Sequence, residues 1–151
     1  MIKRKFLGQH FLNSKSIAEF IVNEAQISKT DVVFEIGTGL GMLTPLLCKK
    51  AQKVISVDAD ERLIKKAKFE FSTLHNLVLE SGDGFKKKHD FTIFVSNLPY
   101  SRSKDAVEWL AQNSFSHGII MVQKEFAEKL LAQSKNRRSI SIIATHAFDI
   151  V

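Results

Sequence analysis

The stretch Val32-Val-Phe-Glu-Ile-Gly-Thr-Gly-Leu-Gly41 decides the fold: five residues of short apolar strand run without pause into a glycine-rich turn. Thr44-Pro45 follows, read as the N-cap and first position of a helix, with Leu43, Leu46 and Leu47 turned inward. A strand that enters a helix through glycines lets backbone approach a ligand beside the positive helix end. Val54-Ile-Ser-Val57 is a second strand ending at Asp58, about 20 residues past the glycines, where an acidic side chain can accept hydrogen bonds from ribose hydroxyls.

The alternation continues outward from this unit. Asn13 or Ser14 caps a preceding helix with Ile17, Phe20, Ile21 and Ala25 as its apolar face. Asp60 caps a helix carrying Leu63, Ile64, Ala67 and Phe71. Leu77–Leu79 is a third strand closed by Gly82-Asp83-Gly84, and Phe91–Val95 a fourth running into Asn97-Leu-Pro-Tyr100. Ser103 caps a helix with Ala106, Val107 and Leu110. Gly118–Val122 is a fifth strand, followed by a helix marked by Phe126, Ala127, Leu130 and Leu131. Repeated strand–helix alternation predicts an α/β fold: a mostly parallel twisted sheet with helices on both faces. In such sheets ligands bind at the carboxyl ends of the strands, near the switch in strand order. Gly37–Gly41, Asp58, Asp83 and Asn97–Tyr100 all follow strand ends.

The chain has 151 residues, one domain's worth, with 44% hydrophobic and 25% charged residues, which excludes disorder and coiled coil. Its apolar runs are too short for a membrane span. Cys48 is the only cysteine, so no internal disulfide or cysteine-based metal site is expected, and a reducing, cytoplasmic compartment fits. The five histidines show no ligand spacing, and no metal is expected; all but His10 read as structural or exposed. Met42, Met121 and Trp109 read as packing residues. A net charge of +6 suits a polyanion partner. The clusters Lys3-Arg-Lys5, Lys86–Lys88 and Lys135 with Arg137-Arg138 offer phosphate contacts or simply a solvated surface. Arg102 can meet phosphate or solvent.

The glycine spacing alone admits a dinucleotide or S-adenosylmethionine. The dinucleotide pattern G-x-G-x-x-G is not met, because Gly37-Thr-Gly39-Leu-Gly41 places its third glycine one residue early. Glu35 would repel a pyrophosphate but suits a ligand with an ammonium and a sulfonium. In Asn97-Leu-Pro-Tyr100 the Asn97 side-chain oxygen and the Leu98 carbonyl can accept the two N–H bonds of an exocyclic amine. Pro99 restricts the loop, and Tyr100 offers a ring on which a flipped base can stack.

Gly8-Gln-His-Phe-Leu12, Glu35–Gly41, Gly82-Asp83, Asn97–Tyr100, Val122–Phe126 and Arg138–Ile142 together resemble the ribosomal RNA adenine N6,N6-dimethyltransferases across essentially the whole chain. Leu98 points to the small-subunit branch rather than the related erythromycin-resistance enzymes. The resemblance implies a Rossmann-like class I methyltransferase fold and one catalytic domain over residues 1–151. Its cofactor would be S-adenosylmethionine, leaving S-adenosylhomocysteine as product. Cofactor contacts would come from Gln9, His10, Leu12, Glu35, Gly37, Thr38, Gly39, Asp58, Ala59, Asp83, Gly84 and Asn97. Asn97, Leu98, Pro99 and Tyr100 would hold the target base.

Asp58 stands where the family more often has glutamate. The implied partner is ribosomal RNA or a small-subunit assembly intermediate, and a monomer is expected. The family's chain runs on past position 151 through a final strand hairpin and a helical RNA-binding domain. The expectation is therefore of a domain that binds cofactor but methylates weakly by itself. Other readings are a non-catalytic ribosome-assembly factor, a large-subunit methyltransferase of the resistance type, or an enzyme acting on another planar amine.

Overall fold

A computed structural model describes residues 11–131 and 139–151, which form two compact units. The first comprises Phe11–Asn97 with Phe115–Ile120, the second Leu98–Ser114 with the described part of Met121–Val151. The first unit holds a sheet of five strands: β1 (Val32–Ile36), β2 (Lys53–Asp58), β3 (Leu77–Ser81), β4 (Ile93–Ser96) and β5 (His117–Ile120). Their order is β3-β2-β1-β4-β5, and every neighbouring pair is parallel. The order reverses between β1 and β4, and sheets of this kind take ligands beyond the carboxyl ends of the strands at such a switch. This is a Rossmann-like α/β arrangement, as the alternation predicted.

The central strands are covered on both faces, which is why they read as unbroken apolar runs. Val33, Phe34, Val54, Val57, Ile93, Phe94 and Val95 are wholly inaccessible. The rings of Phe34, Phe91, Phe94 and Phe115 form a cluster with neighbouring centroids 5.3–6.3 Å apart. At the amino-terminal end of the sheet Asp31 ties strands together. Its Oδ1 accepts from the Thr92 hydroxyl at 2.8 Å and its Oδ2 from the Ser28 amide at 2.8 Å, while Thr92 Oγ1 accepts from the Val32 amide.

Helix α1 (Lys15–Glu24) is capped by Ser14, as predicted, but it is rotated from the expected face. Ala18, Ile21, Val22 and Ala25 are buried, whereas Ile17 is 45% and Phe20 63% exposed. Two stripes one residue apart share Ile21 and Ala25, and the packed one is that with small Ala18 in place of bulky Ile17. Helix α2 (Thr44–Lys50) takes Leu43, not Thr44, as N-cap, because the Thr44 hydroxyl is committed to Glu35. Helix α3 (Glu61–Glu70) begins at the predicted cap Asp60 and buries Ile64 and Ala67. β3 runs two residues further than expected, β4 starts and ends later, and β5 starts and stops earlier.

In the second unit a 3-10 turn, Tyr100–Arg102, leads into α4 (Ser103–Leu110), with Arg102 at the cap position instead of Ser103. Ala106, Val107 and Leu110 are buried as predicted. α4 and α5 (Lys124–Leu131) both pack on α6 (Ser139–Ala147), an unforeseen helix that buries Ile140, Ser141 and Ala144. Leu131, expected to face inward, is 53% exposed. Met42, Met121 and Trp109 are half-buried. Among the described residues no helix is long and apolar enough to cross a membrane, and no group of side chains is arranged to hold a metal.

Candidate functional site

Three glycines carry the turn after β1. Gly37, Gly39 and Gly41 have φ of 93°, 55° and 77°, the left-handed region that glycine enters without steric cost. The Gly37 amide donates to the Val57 carbonyl at 2.7 Å, and the Gly41 amide closes the turn onto the Thr38 carbonyl at 2.9 Å. A side chain at Gly37 would stand 3.4 Å from the Asn97 carbonyl oxygen. The first residue of Asn97-Leu-Pro-Tyr100 is therefore adjacent to the glycine turn. The Ser96 hydroxyl, donating to the Ile36 carbonyl, locks the ends of β1 and β4 together there.

Gly41 answers a different need. A Cβ at this position would come within 2.4–2.5 Å of the Phe71 ring edge, so the third glycine is spaced for packing against the end of α3 and not for a pyrophosphate. A Cβ at Gly84 would come within 2.7–2.9 Å of three Ile36 side-chain atoms. That close approach draws the turn after β3 across to the end of β1 and brings Asp83 with it.

Asp58 is 6% exposed. Its Oδ2 accepts from the Gly39 amide at 2.8 Å and its Oδ1 from the Asp60 amide at 2.8 Å. Burial pushes its carboxyl upward, outweighing the opposing pull of the two amides. Each oxygen retains lone-pair capacity for a further donor. Ala59, beside it, is exposed. Asp83 is half-buried and caps the following 3-10 turn, its Oδ1 accepting from the Phe85 amide at 3.1 Å. Leu12 is buried, while Gln9 and His10 lie outside the described residues.

Glu35 is wholly buried behind the turn instead of standing open to a ligand. Its Oε2 accepts from Thr44 Oγ1 at 2.8 Å and from Ser56 Oγ at 2.6 Å, and Ser56 Oγ lies 2.6 Å from Thr38 Oγ1. Burial pushes the Glu35 carboxyl up to about 7, with the Asp58 charge adding to the shift. Ser56 and Thr44 were missed in the sequence. A lone serine within the apolar run Val54-Ile-Ser-Val57 was the available signal, since a buried hydroxyl needs a partner. Phe11 was missed as well: its ring lies against Gly39, with Cδ1 3.5 Å from where a Cβ would be.

In the second unit Leu98 is buried, Pro99 and Tyr100 are half-buried, and the Arg102 amide donates to the Pro99 carbonyl at 2.8 Å. Arg102 forms an ion pair with Asp105 at 2.9 Å. Of the basic clusters, Lys86 and Lys88 are exposed, and Lys87 pairs with Glu80 at 3.1 Å. Lys3-Arg-Lys5 and Lys135 with Arg137-Arg138 lie outside the described residues. His89 also meets Glu80, and His117 bonds the Ala25 carbonyl, both structural roles.

The donors and acceptors around the turn suit a nucleoside that carries positive charge. The carboxylates of Asp58 and Glu35, buried behind the turn, disfavour a pyrophosphate. Comparison with known proteins agrees. Residues 2–151 match the family described as ribosomal RNA adenine dimethylase. A probable ribosomal RNA small subunit methyltransferase A of Thermococcus gammatolerans is 41% identical over 132 residues, 87% of this chain and 47% of that protein. The crystal structure of a dimethyladenosine transferase from Plasmodium falciparum superposes with a TM-score of 0.80 at 33% identity, covering 90% of this chain and 52% of that one. The 23S rRNA methyltransferase ErmE gives a TM-score of 0.74 at 27% identity, covering 80% and 50%. The chain thus spans about half the length of the relatives it matches. On motif, fold and turn geometry together, the chain belongs to the ribosomal RNA adenine dimethylase family.

Proposed function

We propose that this chain is the cofactor-binding and methyl-transferring part of an S-adenosylmethionine-dependent ribosomal RNA adenine N6-methyltransferase, acting on adjacent adenosines of small-subunit RNA. The observation that carries the reading is the packing of Gly37 beside the Asn97 carbonyl at the β1–β4 switch, where an added Cβ would stand 3.4 Å from that oxygen, with Asp58 buried on the Gly39 amide. Bound S-adenosylmethionine supplies an electrophilic methyl group on a sulfonium. Asp58 would take the ribose hydroxyls through its remaining lone pairs, and Asp83 the adenine amino group. Gly37, Thr38 and Gly39 offer backbone to the methionine portion, with Leu12, Ala59 and Gly84 as walls.

The amine of adenine is a weak nucleophile because its lone pair is delocalised into the ring. Asn97 Oδ1 and the Leu98 carbonyl would accept its two N–H bonds and hold the nitrogen in line with the methyl group, while Tyr100 stacks on the base. The roles of Leu98 and Tyr100 rest on the sequence motif. Positioning of this kind supplies much of the barrier reduction without a strong base. The working partner is a small-subunit assembly intermediate in the cytoplasm, met by a monomer. Leu98 in the motif and the similarity to small-subunit methyltransferases support the small-subunit assignment.

Calorimetric titration with S-adenosylmethionine and with NAD tests the cofactor assignment. The wild-type chain should bind the former and not the latter. Asp58→Ala should weaken binding by about 10- to 100-fold, the loss of hydrogen bonds to a charged acceptor. Binding of NAD alone would remove the reading. Methyl transfer to small-subunit intermediates, mapped by nucleotide, tests the substrate.

A further inference from the structure

We propose that Glu35 is a positioning residue whose ionised carboxylate holds the glycine turn in its binding shape through a relay of hydroxyl groups; this rests on the cofactor reading above. The hydrogen-bond directions follow from proton counting. Ser56 has one hydroxyl proton and donates it to Glu35 Oε2 at 2.6 Å. The 2.6 Å contact between Ser56 and Thr38 must then be donated by Thr38. Thr44 donates to the same Glu35 oxygen at 2.8 Å. One carboxylate oxygen thus fixes Thr38 inside the turn and Thr44 in the first turn of α2.

The turn lies between these two anchors. All four side chains are buried, with Glu35, Thr44 and Ser56 fully inaccessible and Thr38 at 3%. Solvent therefore cannot substitute for a lost link. Glu35 Oε1 is buried with no hydrogen-bond partner among the described residues. It is the free position at which a proton can reside, and ionisation breaks that O–H bond and passes the proton to bulk buffer.

Ionisation strengthens both accepted hydrogen bonds, since bonds to a charged acceptor are about twice as strong as neutral ones. It also places a negative charge behind a turn that receives a cationic ligand. The titratable groups facing Glu35 are Asp58, at the end of β2, and Cys48, on α2. Asp58 pushes the Glu35 carboxyl up, and Glu35 adds to the rise of the Cys48 thiol, pushed to about 12 chiefly by burial. Neither group is a cation, so the ionised carboxylate is balanced by hydroxyl dipoles and by the bound ligand. Because the carboxyl stands at about 7, ligand affinity is set by pH in the neutral range.

The test is calorimetric titration of the wild-type chain and Glu35→Gln with S-adenosylmethionine and S-adenosylhomocysteine at about pH 6 and about pH 8.5. Wild type should bind S-adenosylmethionine about three- to fivefold more tightly at the higher pH, with a smaller change for the uncharged thioether. Glu35→Gln keeps the shape but cannot ionise. It should stay within about twofold of wild type at the lower pH and lack the Glu35-linked gain at the higher. Titration of the ligand's own amine is common to both proteins and cancels in the comparison.

A pH response shared by Glu35→Gln overturns the inference and leaves the cofactor reading standing, as does a folded Glu35→Gln that fails to bind at the lower pH. No binding by wild type overturns both. Thermal melting reads the same ionisation without ligand. A carboxyl raised from 4.5 to about 7 makes the folded chain lose stability as pH climbs through that interval, and Glu35→Gln should not share that loss. Parallel melting profiles for the two proteins would also overturn the inference.

Discussion

Gly39 and Gly41 differ by two positions in the same turn, yet substitution should separate them sharply. At Gly39 a methyl group meets Phe11 at ordinary van der Waals distance, so alanine there carries only the strain of a left-handed backbone, about 1–2 kcal/mol. At Gly41 the methyl group collides with the Phe71 ring in addition to that strain. Overpacking of this kind adds about 1–3 kcal/mol. Chemical denaturation of Gly39→Ala and Gly41→Ala should therefore show the second to be clearly the more destabilised. Equal losses would mean that Phe71 yields. At this scale the sequence showed where the turn residues fall in the chain but not what each one touches. The spacing Gly37-Thr-Gly39-Leu-Gly41 is visible in the chain, whereas the aromatic that demands the last glycine lies 30 residues away. The places of Asp58 and Asn97 were legible because one ends β2 and the other directly follows β4. Glu35 was legible as an important carboxylate, and its partners were not, since hydroxyl pairing across β1 and β2 depends on register.

Elements with one dominant signal were read correctly, and those with two competing signals were not. β1 and β2 are short apolar runs bounded by glycine or aspartate; β1 came out as expected and β2 starts one residue earlier, at Lys53. α1 offers two apolar stripes of similar strength, and helical spacing alone cannot choose between them. Size can choose: only a small side chain such as Ala18 lets the helix approach its neighbours closely. The distinction is measurable. Ile21→Ala should cost about 2–4 kcal/mol as a core truncation, and Phe20→Ala should stay within about 0.5 kcal/mol as a surface change. A large loss for Phe20→Ala would restore the face first expected. α6 escaped notice because Ile140, Ile142, Ile143 and Thr145 are β-branched and disfavour helix locally. Packing against α4 and α5 overrides that preference.

Across the whole molecule a net charge of +6 accompanies an acidic ligand turn. The two serve different partners, and their salt responses should differ. Affinity for small-subunit RNA should fall by about tenfold or more between roughly 50 and 200 mM salt, as phosphate contacts release counterions. Affinity for S-adenosylmethionine should change far less. Fluorescence anisotropy across a salt series measures the first, and an RNA affinity independent of salt would detach the basic surface from the proposed substrate.

The strand order carries a kinetic consequence. β1 is central, and it bonds to β2 across a separation of 21 residues but to β4 across 60. Distant parallel pairings form slowly because loop closure must precede the contacts that reward it. As the chain is synthesised, β1 can zip to β2 early while its opposite edge stays bare until Ile93–Ser96 emerges. The rate of folding is then governed by the arrival of β4, and the same late event brings Asn97 beside the glycine turn.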